Sequence, residues 1–312
     1  MNQPTVFILL AAHNGEAYLL QLLESLSKQD YPHIKVILSD DSSTDSTALI
    51  LAEFAAQHPE QFQIHHSGLQ FHCPQKHFMH LLSAYQDKPY LMFCDQDDVW
   101  HPDKVSKTLR QMTALTDDSS VPCLVHTDLR VVDANLNVLS QSFCRSSGLD
   151  GHRMAFNHLL VQNVVTGCTT MVNSALARLA CSVPYPEEML MHDWWLALLA
   201  SSCGKTAFIT ESTIDYRQHG ANSVGAKNTK SLRYLIRRLC SAPMRHAINR
   251  AVTQAQGFRR CYLTYLTADH QLILNKFIST GHSGLLKRDY LFIRYGLLKS
   301  GVIRKIAQLL GL

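Results

Sequence analysis

The sequence predicts an α/β fold with a mainly parallel central sheet and helices on both faces. Strand, polar loop and amphipathic helix alternate along the first hundred residues, which is typical of parallel strands joined by helical crossovers. Polar residues cluster where these strands end. The chain has 312 residues, of which 46% are hydrophobic, so it is long enough to bury such a sheet on both sides.

The elements of the first half are predicted from hydrophobic periodicity. Leu19, Leu22, Leu23 and Leu26 have the i, i+3, i+4, i+7 spacing of one helical face. Strands are predicted at residues 5–12, 34–39, 63–67 and 90–94, and the helices after the first at 48–57, around 78–85 and at 104–115. Ligands of such sheets bind at the carboxyl ends of the strands.

The second half has shorter, more varied segments. Residues 164–172 resemble a strand interrupted by Gly167, which suggests a bulge or a ligand close to the backbone. A helix is predicted to begin near residue 191. The remaining predicted strands are 123–127, 130–132, 138–139, 206–210 and 214–217.

The charge distribution divides the chain into two predicted domains, 1–226 and 227–312. The first carries 13 basic and 23 acidic residues, and the second carries 16 basic and 2 acidic residues. The second has helical periodicity, for example in Leu232, Leu235, Ile236 and Leu239, with arginines on the other faces. Such helices bind anionic lipid or nucleic acid, or pack on the first domain with a solvated basic face. Nucleic acid is disfavoured because no binding module accompanies the charge.

Cysteine and hydropathy patterns predict a cytoplasmic location. The nine cysteines form no C-x-x-C pair and are expected to be reduced. The apolar stretch at residues 6–12 lacks a preceding basic residue, so a signal peptide is not expected. No apolar run reaches the roughly 18 residues of a membrane span. The basic tail allows contact with the inner face of the membrane.

Three carboxylates follow the buried strand 90–94 within four residues: Asp95, Asp97 and Asp98. Clustered carboxylates repel one another unless a cation supplies opposing charge. Mg²⁺ and Mn²⁺ prefer oxygen ligands, and Mg²⁺ usually binds through one or two carboxylates and substrate phosphates. The cluster therefore predicts a divalent metal site for a diphosphate. The alternative is an acidic turn that caps the next helix.

Four motifs follow one another along the chain: AHNGE at 12–16, SDDSSTD at 39–45, DQDD at 95–98 and HDWW at 192–195. Over residues 5–225 they resemble family-2 glycosyltransferases with the GT-A fold. Within that family, DQDDVW at 95–100, NVVTGCT at 163–169 and YRQHGANS at 216–223 are most similar to bacterial rhamnosyltransferases of surface-polysaccharide assembly.

The resemblance implies roles at the metal. Sugar transfer from a nucleoside diphosphate needs charge neutralisation on the departing diphosphate, which Mn²⁺ or Mg²⁺ provides. Asp97 is the first candidate ligand, Asp95 binds metal or ribose, and Asp98 orients donor or cation. His219 is a further candidate ligand, or a surface histidine beside Gly220.

The resemblance also implies a general base, because the acceptor hydroxyl loses a proton as it attacks. Asp193 is the candidate, with N-capping of its helix as the alternative. Trp194 and Trp195 are expected to form a sugar-stacking or apolar wall. The residues expected to bind the donor are Ala12, Asn14, Glu16, Asp40, Asp41, Asp95, Gln96, Gly167 and Trp194.

The sequence thus predicts a metal-dependent inverting glycosyltransferase that moves rhamnose from a dTDP donor to a saccharide or lipid-linked acceptor. Three alternatives remain open: a family-2 enzyme with a UDP-hexose or UDP-N-acetylhexosamine donor, a non-catalytic nucleotide-sugar-binding module, and a nucleotidyltransferase. The last would release pyrophosphate. His77 and His80 are expected to be surface residues.

Overall fold

The computed structural model describes residues 3–219 and 242–310. The strands in these ranges are β1 (Val6–Ala12), β2 (Ile34–Asp40), β3 (Phe62–Ile64), β4 (Tyr90–Asp95), β5 (Val99–Trp100), β6 (Cys123–Val132), β7 (Val138–Ser140), β8 (Met171–Asn173) and β9 (Lys205–Arg217). They form one sheet in the order β3-β2-β1-β4-β8-β6-β9-β5, and β7 pairs with β6. The α/β prediction is confirmed.

The described helices cover both faces of this sheet. They are α1 (Glu16–Ser27), α2 (Thr47–Gln57), α3 (Pro74–Tyr85), α4 (Lys104–Leu115), α5 (Phe143–Ser147), α6 (Phe156–Val161), α7 (Ser174–Cys181), α8 (His192–Cys203), α9 (Ala242–Tyr262), α10 (Ala268–Thr280), α11 (Leu285–Arg294) and α12 (Val302–Leu309). Single 3₁₀ turns occur at Gly167–Thr169 and Leu263–Tyr265.

Strand alternation explains the two cores. Ile8 and Leu10 of β1 are buried on the face covered by α1, α2 and α4, whereas Leu9 is buried on the opposite face. Successive side chains of a strand point to opposite faces, so a nearly continuous apolar strand fills both cores.

The register of β1 positions the polar strand ends. β1 pairs in parallel with β2 on one side and with β4 on the other. Asp40 lies opposite Ala12, and Asp95 lies opposite Ala11. Neighbouring strands are about 4.8 Å apart, so these two carboxylates flank the end of β1 at one edge of the sheet.

The second half of the sheet combines both strand directions. β8 pairs antiparallel with β4 and β6, whereas the long strands β6 and β9 pair in parallel. The segments 123–127 and 130–132 were predicted as separate strands but belong to one strand, β6. Likewise 206–210 and 214–217 belong to β9. Register irregularities near Thr127 and Asp128 account for the apparent breaks.

The prediction of a strand over 164–172 was wrong. Gly167 begins a 3₁₀ turn, and only Met171–Asn173 pairs in the sheet. The short helices α5, α6 and α7 were not predicted. The surface prediction for His77 was also wrong, since its side chain is buried and its Nε2 lies 2.7 Å from Ser39 Oγ.

The described C-terminal helices share a core with the sheet domain. The ring of Phe258 lies 5.3 Å from Trp195 and 5.9 Å from Phe156 between centroids. Trp195 is fully buried, so it is a core residue and not a sugar-binding wall. The predicted apolar face of Leu232, Leu235, Ile236 and Leu239 lies outside the described residues. No helix within 3–219 and 242–310 is long and apolar enough to cross a bilayer.

Candidate active site

The turn after β4, residues 95–98, is hereafter the acidic turn. Asp98 is fully buried, and Asp95 and Asp97 are partly buried. Asp98 Oδ1 accepts a hydrogen bond from the backbone N–H of Arg217 at 3.2 Å. Its Oδ2 is buried and, among the residues that the structure describes, has no hydrogen-bond partner. An ionised carboxylate oxygen that is buried without a partner is costly, and burial together with the charges of Asp97 and Asp95 raises the pKa of Asp98 well above its usual value.

Arg217, at the end of β9, holds the acidic turn in place. Its Nε donates to the backbone carbonyl of Asp97 at 2.8 Å, and its other guanidinium nitrogens donate to Ala134 O and Gln21 Oε1. The guanidinium also lies over the Tyr18 ring at 4.4 Å. Sequence analysis included Arg217 in a motif but assigned it no role, because its partners lie 83 to 196 positions away.

The 3₁₀ turn at Gly167–Thr169 lies beside the acidic turn. The Cys168 sulfur and carboxylate oxygens of Asp95 and Asp98 lie within 4.8 Å of one another. Burial and the neighbouring carboxylate charges raise the pKa of the Cys168 thiol well above its usual value. The thiol therefore stays protonated and fills space next to the carboxylates.

Asp193 lies in the first turn of α8, on the other side of this 3₁₀ turn. Its Oδ1 accepts hydrogen bonds from Trp194 N at 2.5 Å and from Asn163 Nδ2 at 3.1 Å. Burial raises the pKa of Asp193 to about 6, against the lowering effect of these hydrogen bonds. The desolvation penalty thus outweighs the helix N-terminus, which by itself favours an ionised carboxylate.

The lack of a side chain at Gly167 lets the 3₁₀ turn beside the acidic turn lie close to Asp193. A Cβ at this position would lie 2.7 Å from His192 Nε2 and 3.7 Å from Asp193 Oδ2. His192 is buried between the rings of Phe78 and Phe93, at 4.5 and 5.0 Å between centroids. Burial lowers the pKa of His192 to about 3, so the imidazole is neutral. Only glycine allows the turn this close to α8.

The acidic turn and Asp193 also interact electrostatically. Burial, followed by the charges of Asp97 and Asp193, raises the pKa of Asp95 to about 7. Carboxylates of like charge, together with the unpaired Asp98 oxygen, are the oxygen ligands that a hard divalent cation prefers. The residues present therefore fit such an ion.

His219 lies next to the acidic turn. Its Nε2 is 2.8 Å from Asp97 Oδ2, and both side chains are mostly buried. The imidazole also lies 4.8 Å from the Tyr18 ring. The contact is compatible with a shared cation as well as with a simple hydrogen bond, since both atoms are possible metal ligands.

The loops after β1 and β2, residues 13–16 and 41–47, are hereafter the paired loops. Asn14 Oδ1 accepts from Thr44 N at 2.8 Å, and Glu16 Oε2 accepts from Ser46 N at 2.9 Å. Asp40 at the end of β2 accepts from the N–H of Ser43 at 3.0 Å. Three predicted donor-binding side chains thus make internal hydrogen bonds that shape this edge.

Asp41 is also engaged within the protein. Its carboxylate oxygens accept from the backbone N–H groups of Phe71 and His72, at 2.6 and 2.8 Å. Its side chain is buried. The backbone N–H of Asp41 donates to Ala12 O at 2.8 Å. Asp41 therefore fixes the segment that precedes α3, and its carboxylate is not open toward a nucleotide base.

Two further predicted donor residues make structural contacts. The Gln96 amide accepts from His13 N at 2.6 Å and donates to His13 O at 2.8 Å, which links the acidic turn to the paired loops. Trp194 Nε1 donates to Leu159 O at 2.6 Å, and its ring packs against the core. In this conformation, the polar edge of each side chain is engaged by the protein.

Comparison with known proteins gives a family match. The family model described as Glycosyl transferase family 2 matches residues 7–177. The dTDP-rhamnosyl transferase RfbG of Shigella flexneri is 25% identical over 233 residues, which are 72% of this chain and 76% of the relative.

Solved structures share the fold at low sequence identity. S. aureus TarS residues 1–349 in complex with UDP has a TM-score of 0.54 and 14% identity, and the match covers 94% of this chain and 92% of that one. A mannosyltransferase from Pyrobaculum calidifontis, in complex with GDP-Man and Mn²⁺, has a TM-score of 0.51 and 14% identity, with 95% and 81% covered.

Proposed function

The chain belongs to glycosyl transferase family 2 and has the GT-A fold of its solved neighbours, and we propose that it transfers rhamnose from dTDP-rhamnose. The acceptor is a saccharide or a lipid-linked saccharide of bacterial surface-polysaccharide assembly, such as O-antigen or capsule. The donor assignment is supported by the similarity to RfbG. The observation that carries a transfer function is the buried Asp193 beside the acidic turn.

The acidic turn would hold a divalent cation, Mn²⁺ or Mg²⁺, at the donor diphosphate. When bound, the cation neutralises charge that develops on the departing diphosphate. Asp97 is the principal ligand, with Asp95, Asp98 and His219 as the further candidates. Arg217 positions the turn, because its guanidinium donates to the backbone carbonyl of Asp97 and its backbone N–H donates to the Asp98 carboxylate.

Asp193 takes the proton of the attacking acceptor hydroxyl. Its pKa of about 6 allows it to be ionised at neutral pH while it retains enough basicity to accept a proton. The neighbouring hydrogen bonds from Asn163 and Trp194 orient the carboxylate. One base and an in-line displacement give inversion at the anomeric carbon.

The paired loops bound the nucleoside part of the donor site. Their shape depends on Asn14, Glu16, Asp40 and Asp41, whose side chains bond within the protein. We therefore assign the contribution of these residues, with Ala12 and Gln96, to the form of the pocket, while Gly167 and Trp194 lie near the transferred sugar.

We place the reaction in the cytoplasm. All eight cysteines in the described residues are free thiols, which accords with a reducing compartment.

A panel of nucleotide sugars with Mn²⁺ tests the donor assignment. We expect nucleoside diphosphate release to be fastest with dTDP-rhamnose, compared with UDP-glucose, UDP-N-acetylglucosamine and GDP-mannose. Preference for another donor contradicts the rhamnose assignment. Absence of turnover with every donor and acceptor contradicts the transfer function, and pyrophosphate release indicates a nucleotidyltransferase.

A UDP-sugar donor is the second candidate. It is favoured by the fold similarity to TarS, whose structures contain UDP and UDP-GlcNAc. The same panel distinguishes the two candidates when dTDP-glucose is added to it. Comparison of dTDP-glucose with UDP-glucose varies only the nucleoside, and comparison with dTDP-rhamnose varies only the sugar.

A further inference from the structure

Exposed apolar side chains concentrate at the end of the chain. Of the sixteen large apolar side chains that are exposed in the described residues, eight lie between residues 285 and 310. They are Leu285, Leu286, Tyr290, Ile293, Val302, Ile303, Ile306 and Leu310. This concentration is unusual, because scattered single exposed apolar residues are normal, whereas contiguous ones mark interaction surfaces.

In α11 the exposed residues form one stripe. Leu286, Tyr290 and Ile293 have the i, i+4, i+7 spacing of a single helical face, and they are 91%, 63% and 63% exposed. Leu291 and Phe292 on the other side are buried in the protein. α11 thus has two apolar faces, one packed in the core and the other exposed to solvent.

α12 repeats the pattern. Val302, Ile306 and Leu310 follow at i, i+4, i+8 and are 72%, 48% and 59% exposed, while Ala307 and Gln308 are buried. Arg288 of α11 donates to the carbonyls of Gln308 and Leu309 at 3.4 Å. These hydrogen bonds join the two helices, and we call their exposed stripes together the terminal face.

Basic side chains predominate in the segment that carries the terminal face. Residues 285–310 contain six basic side chains, of which Lys299 is buried, and a single acidic one, Asp289, which is paired with Arg288. Lys287 and Arg294 are exposed and lie beside the α11 stripe, and Lys305 is partly exposed beside the α12 stripe. Apolar stripes flanked by lysine and arginine are typical of helices that lie in the interface of an anionic bilayer.

We propose that the terminal face binds the surface of an anionic lipid bilayer. Leu286, Tyr290, Ile293 and the α12 stripe enter the boundary between headgroups and acyl chains, and Lys287, Arg294 and Lys305 contact the phosphates. Tyrosine is common at this depth, because its ring is apolar and its hydroxyl is polar. A second copy of the chain is a poorer partner, since it brings the same positive charge.

The inference goes beyond the proposed reaction and does not depend on the donor sugar. It gives the enzyme a position at the membrane, where a lipid-linked acceptor is presented in two dimensions. The proposed partner has an anionic surface and an apolar interior. The experiments below test these two properties separately.

Vesicle flotation of the protein tests the proposal. We expect binding to phosphatidylcholine vesicles that contain about 30% phosphatidylglycerol, and much weaker binding to phosphatidylcholine alone. Replacing Lys287 and Arg294 by glutamine should weaken binding about five-fold for each charge and reduce its salt dependence. Equal binding to both vesicle types contradicts the electrostatic part of the proposal.

The apolar part is tested by Leu286→Ser with Ile293→Ser. Both side chains are largely exposed, so the fold should be retained, and vesicle affinity should fall about ten-fold or more. Leu49→Ser on α2 is the matched control, because Leu49 is 60% exposed and lies outside the terminal face. It should leave binding unchanged.

The outcomes separate this proposal from the proposed function. Absence of binding to anionic vesicles, or undiminished binding of the serine double variant, overturns the membrane assignment. If vesicles do not bind and the double variant instead dissociates a dimer in light scattering, the face is an interface between copies. Donor hydrolysis in solution should be the same in all variants, and its absence in the native protein counts against the reaction alone.

Discussion

The paired loops and the acidic turn lie at the same edge of the sheet, but their polar groups are satisfied differently. In the paired loops and at Asp40, the carboxylates accept backbone hydrogen bonds, as Asp41 does from Phe71 and His72. In the acidic turn, Asp98 retains a buried oxygen without a partner in the described residues, and the pKa of Asp95 is raised to about 7.

This difference indicates that the paired loops shape the site, whereas the acidic turn carries the charges that can take part in chemistry. Carboxylates that accept N–H bonds stabilise the fold and are stable without a ligand. Carboxylates that repel one another are stabilised by a cation or a proton from outside. We therefore expect substitutions in the acidic turn and at Asp193 to alter catalysis or metal dependence, and substitutions in the paired loops to alter mainly stability.

Asp193→Asn should produce the largest effect. The amide retains the shape and an oxygen acceptor for Trp194 N, but it cannot take the acceptor proton. Turnover should fall on the order of 10³-fold, while donor binding in calorimetry stays close to that of the native protein. Glu53→Gln, which also replaces a carboxylate by an amide but on the exposed face of α2, is the control. Loss of donor binding in Asp193→Asn would place this carboxylate in the donor site instead.

Asp97→Asn should weaken donor binding in the presence of Mn²⁺ by about ten-fold or more, because a ligand to the diphosphate-bound cation is lost. Binding without metal should change much less. Isothermal titrations with nucleoside diphosphate, with Mn²⁺ or with chelator, measure both quantities.

Glu53→Gln on the exposed face of α2 is the matched charge control. His219→Gln tests the role of the imidazole. The variant should bind the metal more weakly if His219 is a ligand, and with unchanged affinity if His219 only hydrogen-bonds to Asp97. An Asp97 variant with unchanged Mn²⁺-dependent binding would refute the role of the acidic turn.

The pH dependence follows from Asp193. Burial raises its pKa to about 6, and a base acts in its ionised form, so kcat/KM should increase as pH rises through about 6. Below that value activity should fall about ten-fold per pH unit. Initial rates across pH, in native protein and Asp193→Asn, are the measurement. The residual activity of the variant should lack this acidic limb, and an identical limb in both proteins would assign it to another group.

Asp41→Asn should have the smallest effect on turnover and a clear effect on folding. One of the two hydrogen bonds to the segment before α3 is lost, because the amide NH2 group cannot accept it, and the other keeps only a neutral acceptor. The free energy of unfolding should therefore fall by about 2 kcal/mol. Urea unfolding compares the variant with Glu53→Gln. Loss of turnover with undiminished stability would mean that the paired loops contribute chemistry directly, which would remove the distinction between the two regions.

Local patterns predicted the first half of the fold well. The alternation of Leu9 with Ile8 and Leu10 reflects burial on two faces, and the strand ends follow from polar residues after apolar runs. The position of Asp95 beside β1 was predictable for the same reason, because parallel strands end at a common edge.

Long-range contacts account for what the sequence did not reveal. The partners of Arg217 are distant in the chain, so no spacing of residues in the sequence predicts these contacts. Gly167 appeared as a break in a strand, but the reason for a glycine is the imidazole of His192 in a separate helix. The engagement of Asp41 and Gln96 by backbone groups is likewise invisible to motif comparison, which identifies a residue without its partners.

Arg217 has a consequence for the order in which the protein is made. The matched family segment ends at residue 177, so it contains the acidic turn but neither Asp193 nor the arginine that fixes the turn. During synthesis, the acidic turn therefore leaves the ribosome before Arg217, which positions it. If the proposed function holds, fragments that end before β9 should lack transfer activity even where they fold.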